Sequence, residues 1–142
     1  MKYLGIDFGI KRVGLAVSDQ KGKMVFPLKT IHRSTRENLF LELLNIIEQR
    51  GIEAIVLGLP LGPEGEKSLT CRQAENFMHS LGRRTALPLY TVNEAFTSME
   101  AEEILSSRGI KRERQKESLD QAAAMIILES FLEGISHKGG VK

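Results

Sequence analysis

The stretch Tyr3-Leu4-Gly5-Ile6-Asp7-Phe8-Gly9-Ile10-Lys11-Arg12-Val13-Gly14-Leu15-Ala16-Val17-Ser18 decides the fold. Two short apolar runs, Tyr3–Phe8 and Val13–Ser18, flank Gly9-Ile10-Lys11-Arg12, which predicts a β-hairpin with a four-residue turn. In the first run Leu4, Ile6 and Phe8 share one face, and Tyr3, Gly5 and Asp7 share the other. Asp7 is out of place there, because aspartate is depleted in strands and costly on a covered face unless paired or metal-bound. Gly5 and Gly9 leave room for a ligand to approach the backbone beside it. The plainer alternative is a strand-end aspartate that hydrogen-bonds the following turn.

Working outward, Met24–Ile31 reads as a third strand, and Pro27 predicts that it lies at an edge, since proline has no N–H for a central ladder. Ser34-Thr35-Arg36-Glu37 is a capping-box signal, followed by Leu39, Phe40, Leu43, Ile46 and Ile47 at helical spacing and closed by Gly51. Glu53–Leu57 is a continuous apolar run, expected of a strand covered on both faces. A Gly/Pro-rich loop follows, with residues 61–67 positioned to move over a site. A second helix with Leu69, Cys71, Ala74, Phe77, Met78 and Leu81 inward ends at Gly82, and Leu89–Val92 is a fifth strand. Thr97-Ser98-Met99-Glu100 starts another helix ending near Gly109, Lys111–Lys116 is a charged connector, and Ser118–Leu132 is the last helix. The expected fold is α/β: a five-stranded mixed sheet, its first three strands antiparallel and the later ones parallel, with helices on both faces.

At 142 residues the chain is of single-domain length, and residues 1–142 read as one domain. Hydrophobic residues at 42% and charged residues at 27% exclude a disordered chain. No apolar run approaches the roughly 18 residues of a membrane span. The opening MKYLGIDFG lacks the pattern of a signal peptide, and a single cysteine, Cys71, forms no internal disulfide; both point to the cytoplasm and to no membrane partner. The net charge is only +2, yet residues 1–36 hold eight Lys/Arg against two Asp. That polarity suits a polyanion approached from one side, and equally a solvated surface of uneven charge.

Two further carboxylates stand out. Glu94 follows the fifth strand, where open α/β sheets border their ligand crevice; it also reads as a solvated loop residue. With Ser118 as N-cap and Gln121 at the third helical position, Asp120 would meet the helix dipole in the first turn. It also shares a face with Ala123, Ala124, Ile127 and Phe131, which points it at the sheet. Clustered carboxylates repel unless a divalent cation offsets them, and an all-oxygen donor set suits Mg²⁺ or Mn²⁺. His32, His79 and His137 have no metal-ligand spacing.

These segments resemble the YqgF family, ribonuclease H-like proteins described as pre-16S rRNA nucleases and as Holliday-junction-resolvase-like. The resemblance rests on Gly5 through Asp19, on Val56-Leu57-Gly58-Leu59-Pro60-Leu61, on Asn93-Glu94-Ala95-Phe96-Thr97-Ser98, and on Leu119 through Leu128 with its Asp120-Gln121-Ala122-Ala123-Ala124. Asn93 stands where the family has aspartate and Ala95 where it has arginine; Glu94 is retained. Losing the arginine removes a guanidinium suited to gripping phosphate, and Lys11 or Arg12 is the candidate to replace it.

The resemblance implies a ribonuclease H-like fold and Mg²⁺- or Mn²⁺-dependent phosphodiester hydrolysis, with Asp7, Glu94 and Asp120 as catalytic metal ligands. Lys11, Arg12, Lys111, Arg112, Arg114 and Lys116 are candidate phosphate contacts; for Lys111–Lys116 a solvated connector is the alternative. The implied substrate is pre-rRNA, cut at the 5′ end of pre-16S rRNA by a monomer or homodimer. The alternatives are a resolvase acting on structured DNA and a non-catalytic nucleic-acid-binding or transcription-associated factor.

Overall fold

In a computed structural model, described over residues 1–59, 69–93 and 115–137, the early strands form where their apolar periodicity places them. β1 (Tyr3–Phe8) and β2 (Arg12–Ser18) pair antiparallel from Leu4↔Val17 to Phe8↔Val13. The intervening turn has three residues rather than four, because Arg12 already belongs to β2. Gly9 N donates to Arg12 O at 3.0 Å to close it.

β3 (Val25–His32) pairs antiparallel with β2, β4 (Ala54–Leu59) pairs parallel with β1, and β5 (Leu89–Asn93) pairs parallel with β4. The sheet order is β3-β2-β1-β4-β5, the mixed sheet expected from the sequence. β3 is an edge, as Pro27 requires. The ladder steps from Leu15↔Lys29 to Ala16↔Pro27, so Leu28 is the extra residue of a bulge beside the proline. β4 is buried along its whole length, which is why it carries an unbroken apolar run.

Helix α1 (Arg36–Arg50) starts one residue later than the capping-box reading: Thr35, not Ser34, is the N-cap, and its hydroxyl accepts from Asn38 N at 3.1 Å. Ser34 accepts from the Asn38 side chain instead. Gly51 ends α1 at φ 64°, a left-handed position that glycine adopts without steric penalty. Helix α2 spans Leu69–Gly82.

The final helix, α3, runs from Gln115 to His137. It begins before the expected Ser118, so Ser118 is no N-cap and Asp120 lies beyond the first turn; the helix-dipole reading of Asp120 is thereby corrected. Gln121 does not complete a capping box; its side-chain amide donates to Thr30 Oγ1 at 3.1 Å and ties α3 to the edge strand. Lys116 is helical, not part of a connector. The expected helix over residues 97–109, the loop over residues 61–67, and Lys111, Arg112 and Arg114 lie outside the described residues.

The sheet has two unlike faces. One carries Leu4, Ile6, Phe8, Val13, Leu15, Val17, Ile55 and Leu57 and packs against Leu39, Phe40 and Leu43 of α1 and Cys71, Ala74, Phe77 and Leu81 of α2. Phe8 and Phe40 both stack on Phe77, at centroid distances of 4.6 and 5.6 Å. The other face is built from small residues. There Ala16 and Val56 meet Ala124, Ile127 and Leu128 of α3. A Cβ on Gly5 would stand 2.9 Å from the Ala124 carbonyl oxygen, so the helix backbone rides close on β1.

Candidate active site

The close approach of α3 creates the site. Asp7 lies opposite Gly14 in the β1–β2 ladder, and residues directly opposite in an antiparallel pair project to the same face. That face is the one under α3, because Gly5, two residues before Asp7, is covered by Ala124. Above Gly14 is Asp120 itself: a Cβ at Gly14 would fall 2.1 Å from the Asp120 carbonyl oxygen and 2.8 Å from its Cβ. Only a residue without a side chain fits. The strand residue facing Asp7 is thus the seat of the turn that carries Asp120, and two carboxylates remote in sequence share one patch of the sheet.

The patch is electrostatically prepared. Arg12 Nε donates to Asp120 Oδ2 at 2.6 Å, a charge-assisted contact between side chains 31% and 17% exposed. The shorter turn explains this pairing: with Arg12 in β2, its register places it two residues before Gly14, on the α3 side. Lys11 is exposed in the turn. Arg33 holds the turn from the other side. Its guanidinium donates to Gly9 O at 3.1 Å and Ile10 O at 2.9 Å, and sits 4.7 Å over the Phe8 ring.

The sheet-facing assignment of Asp120 is therefore borne out, with Ala123, Ala124 and Ile127 buried on the same helical face. Phe131 continues it, packing on Tyr3 and Tyr90 at 5.6 and 4.9 Å. Glu94 immediately follows Asn93, the last residue of β5, and lies outside the described residues. Among the described residues no group of three His, Cys, Asp or Glu is poised to hold a metal ion. Asp7 and Asp120 supply hard oxygen donors on one patch, a donor type that fits a divalent cation of the Mg²⁺ or Mn²⁺ kind.

Sequence reasoning missed two contributors. Gly14 is the cradle of Asp120, and its signal was the run of small residues at alternate positions, Gly14, Ala16 and Ser18. Arg33 is the anchor of the turn and was visible only as one basic residue among many. Among the described residues no helix is long and apolar enough to cross a membrane.

A sequence model of the RuvX family, described as Holliday junction resolvase, matches residues 1–134. A protein of Nitratidesulfovibrio vulgaris (strain DP4) named "Putative pre-16S rRNA nuclease" is 48% identical over 132 residues, 93% of each chain. One of the same name from Maridesulfovibrio salexigens is 49% identical over 132 residues, 93% of this chain and 98% of that one. Among solved structures, Thermus thermophilus RuvC superposes with a TM-score of 0.60 at 17% identity, covering 99% of this chain and 98% of that one. The yeast mitochondrial Holliday junction resolvase Ydc2 gives 0.59 at 14% identity, covering 98% and 80%. At such identities the likeness establishes the fold, the ribonuclease H-like sheet shared with these resolvases.

Proposed function

This chain belongs to the RuvX family, and from that membership we propose that it is a divalent-metal-dependent nuclease that processes the 5′ end of pre-16S rRNA in the cytoplasm. The observation that carries the reading is the seating of Asp120 on Gly14, across the ladder from Asp7. Arg12 offsets the charge of Asp120, and with Asp7 on the same face the patch offers an all-oxygen donor set that suits a divalent cation.

Asp7 and Asp120 would hold the metal, with Glu94 as the third ligand. When bound, Mg²⁺ or Mn²⁺ supplies an activated water and offsets the charge that gathers on the phosphate. In hydrolysis the water oxygen bonds to phosphorus, the bond from phosphorus to the leaving ester oxygen breaks, and that oxygen gains a proton. The chain's own task is to orient the phosphate and hold the carboxylates in place. Arg12 supplies the fixed guanidinium that the family places where this chain has Ala95, delivered from β2 instead. Lys11 and Lys116, with Lys111, Arg112 and Arg114, add sequence-independent phosphate contacts.

The test is cleavage of a pre-16S 5′-leader RNA with Mg²⁺ or Mn²⁺, alongside a four-way DNA junction. Cleavage of the RNA that stops on chelation and in Asp7→Asn, with the melting curve unchanged, is the expected result. Equal cleavage by a rigorously purified Asp7→Asn protein would overturn the site. Preferential cutting of the junction would assign the resolvase activity that the family description carries.

A further inference from the structure

On the opposite face of the sheet, between α1 and α2, lies a basic cluster that the proposed hydrolysis does not use. Arg36, Arg83 and Arg84 converge on Ser80, which is buried. Arg36 Nη2 and Arg83 Nη2 both donate to the Ser80 hydroxyl, the latter at 3.1 Å, and Arg84 Nη1 donates to its carbonyl oxygen at 2.8 Å. Arg36 and Arg84 also lie against the Phe40 ring, at 5.7 and 4.1 Å from its centroid. The Arg12–Asp120 and Lys29–Glu42 ion pairs lie elsewhere and involve none of these three arginines. Three guanidiniums gathered around one neutral side chain repel one another, and an anion is the natural counterweight.

Beside them opens a cleft of about 430 Å³. Phe8, Phe40 and Phe77 form its apolar wall, Gln73 and Asn76 offer amides, and Arg33 and Arg36 line it as well. Guanidiniums, which suit a phosphate, next to an apolar and amide-lined recess match the two halves of a nucleotide. We propose that this cleft binds one unpaired nucleotide of the nucleic-acid substrate, its backbone phosphate on Arg36, Arg83 and Arg84 and its base in the recess against Phe8, Phe40 and Phe77. The ligand's identity rests on the nuclease reading above. The cleft lies across the sheet from Asp7 and Asp120, so it holds the strand without touching the reacting bond. An amide donates and accepts, so Gln73 and Asn76 serve any base edge, and preference is for single strands over duplex rather than for a sequence.

The test is binding of a labelled single-stranded RNA by fluorescence anisotropy in EDTA, across a salt series, with cleavage measured separately. Arg36→Ala/Arg84→Ala is expected to weaken binding severalfold at low salt through the lost phosphate contact, and by less as salt rises. The slope of log affinity against log salt should fall by about 0.7, one single-strand phosphate. Asn76→Asp changes an exposed residue and places a negative charge at the recess; it should weaken binding in the same direction with an unchanged melting curve. Binding to a blunt duplex should be the same for all three proteins. Parent-like single-strand affinity and salt slope in both variants would refute the cleft while leaving cleavage by the parent untouched. Absent cleavage with these binding losses intact would refute the nuclease reading alone.

Discussion

Gly14→Ala isolates the geometric claim on which the site rests. The added Cβ would lie 2.1 Å from the Asp120 carbonyl oxygen, 2.4 Å from its carbonyl carbon and 2.8 Å from its Cβ, whereas ordinary contact begins near 3.4 Å. Those atoms are backbone or next to it, so no flexible side-chain tip gives way. α3 must retreat by about 1 Å or more at this turn, or β2 must bend away from it. Overpacking of this kind typically costs about 1–3 kcal/mol. At roughly 3 °C per kcal/mol for a chain of this size, the melting temperature should fall by about 3–10 °C. Catalysis should suffer more, because a misplacement of about 1 Å in a catalytic constellation costs on the order of 100-fold. The assay pairs differential scanning calorimetry with RNA cleavage at saturating Mg²⁺. Gly5→Ala is the graded comparison: its Cβ meets Ala124 O at 2.9 Å and Leu128 Cβ at 3.0 Å, a milder clash one turn from Asp120, and it should lose stability with a smaller loss of rate. A Gly14→Ala protein that melts and cleaves like the parent would show that Asp120 does not sit where the site requires it.

Other perturbations follow from the same geometry. Arg12→Ala removes the 2.6 Å contact to Asp120; because the pair is partly exposed, stability should change by no more than about 1 kcal/mol. Mn²⁺ should bind tighter to the freed carboxylate while KM for RNA rises, and an unaltered Mn²⁺ isotherm would count against Asp120 as a ligand. Thr35→Ala deletes the α1 cap and should cost about 1 kcal/mol, read as a melting temperature about 2–4 °C lower, with cleavage unchanged. Asp19 accepts from the backbone N–H of Lys23 at 2.8 Å and of Met24 at 3.2 Å, which holds its carboxyl below the ordinary 3.8. A depressed carboxyl stabilises the fold above its unfolded value and loses that contribution as pH falls through its folded value. Asp19→Asn should therefore melt below the parent at pH 7, with the gap closing as pH drops beneath 3.8; a gap that stays constant into acid would contradict the assignment.

Much of the architecture was legible along the chain because its signals are local. Alternation in Tyr3–Phe8, the unbroken apolar run of β4, and Pro27 as an edge marker each reflect how one strand meets its immediate surroundings. Where the reading slipped, competing local chemistry was the reason. Ser34 and Thr35 are adjacent hydroxyls that both suit an N-cap, and the backbone took the second. Ser118 and Gln121 mimic a capping box inside a helix that starts at Gln115, because Gln121 is spent on Thr30, a partner on the far edge of the sheet.

By itself the sequence determined the strands, their alternation, the cap of α1 within one residue, and which carboxylates were anomalous, since each depends on neighbours a few residues away. Only the tertiary structure decided that Asp120 would rest on Gly14 beside Asp7, that Arg12 would pair with Asp120, and that three arginines would gather at Ser80. A close approach belongs to two backbones at once. The absence of a side chain at Gly14 permits it without saying which helix arrives, and that choice is made by the packing of the whole sheet face.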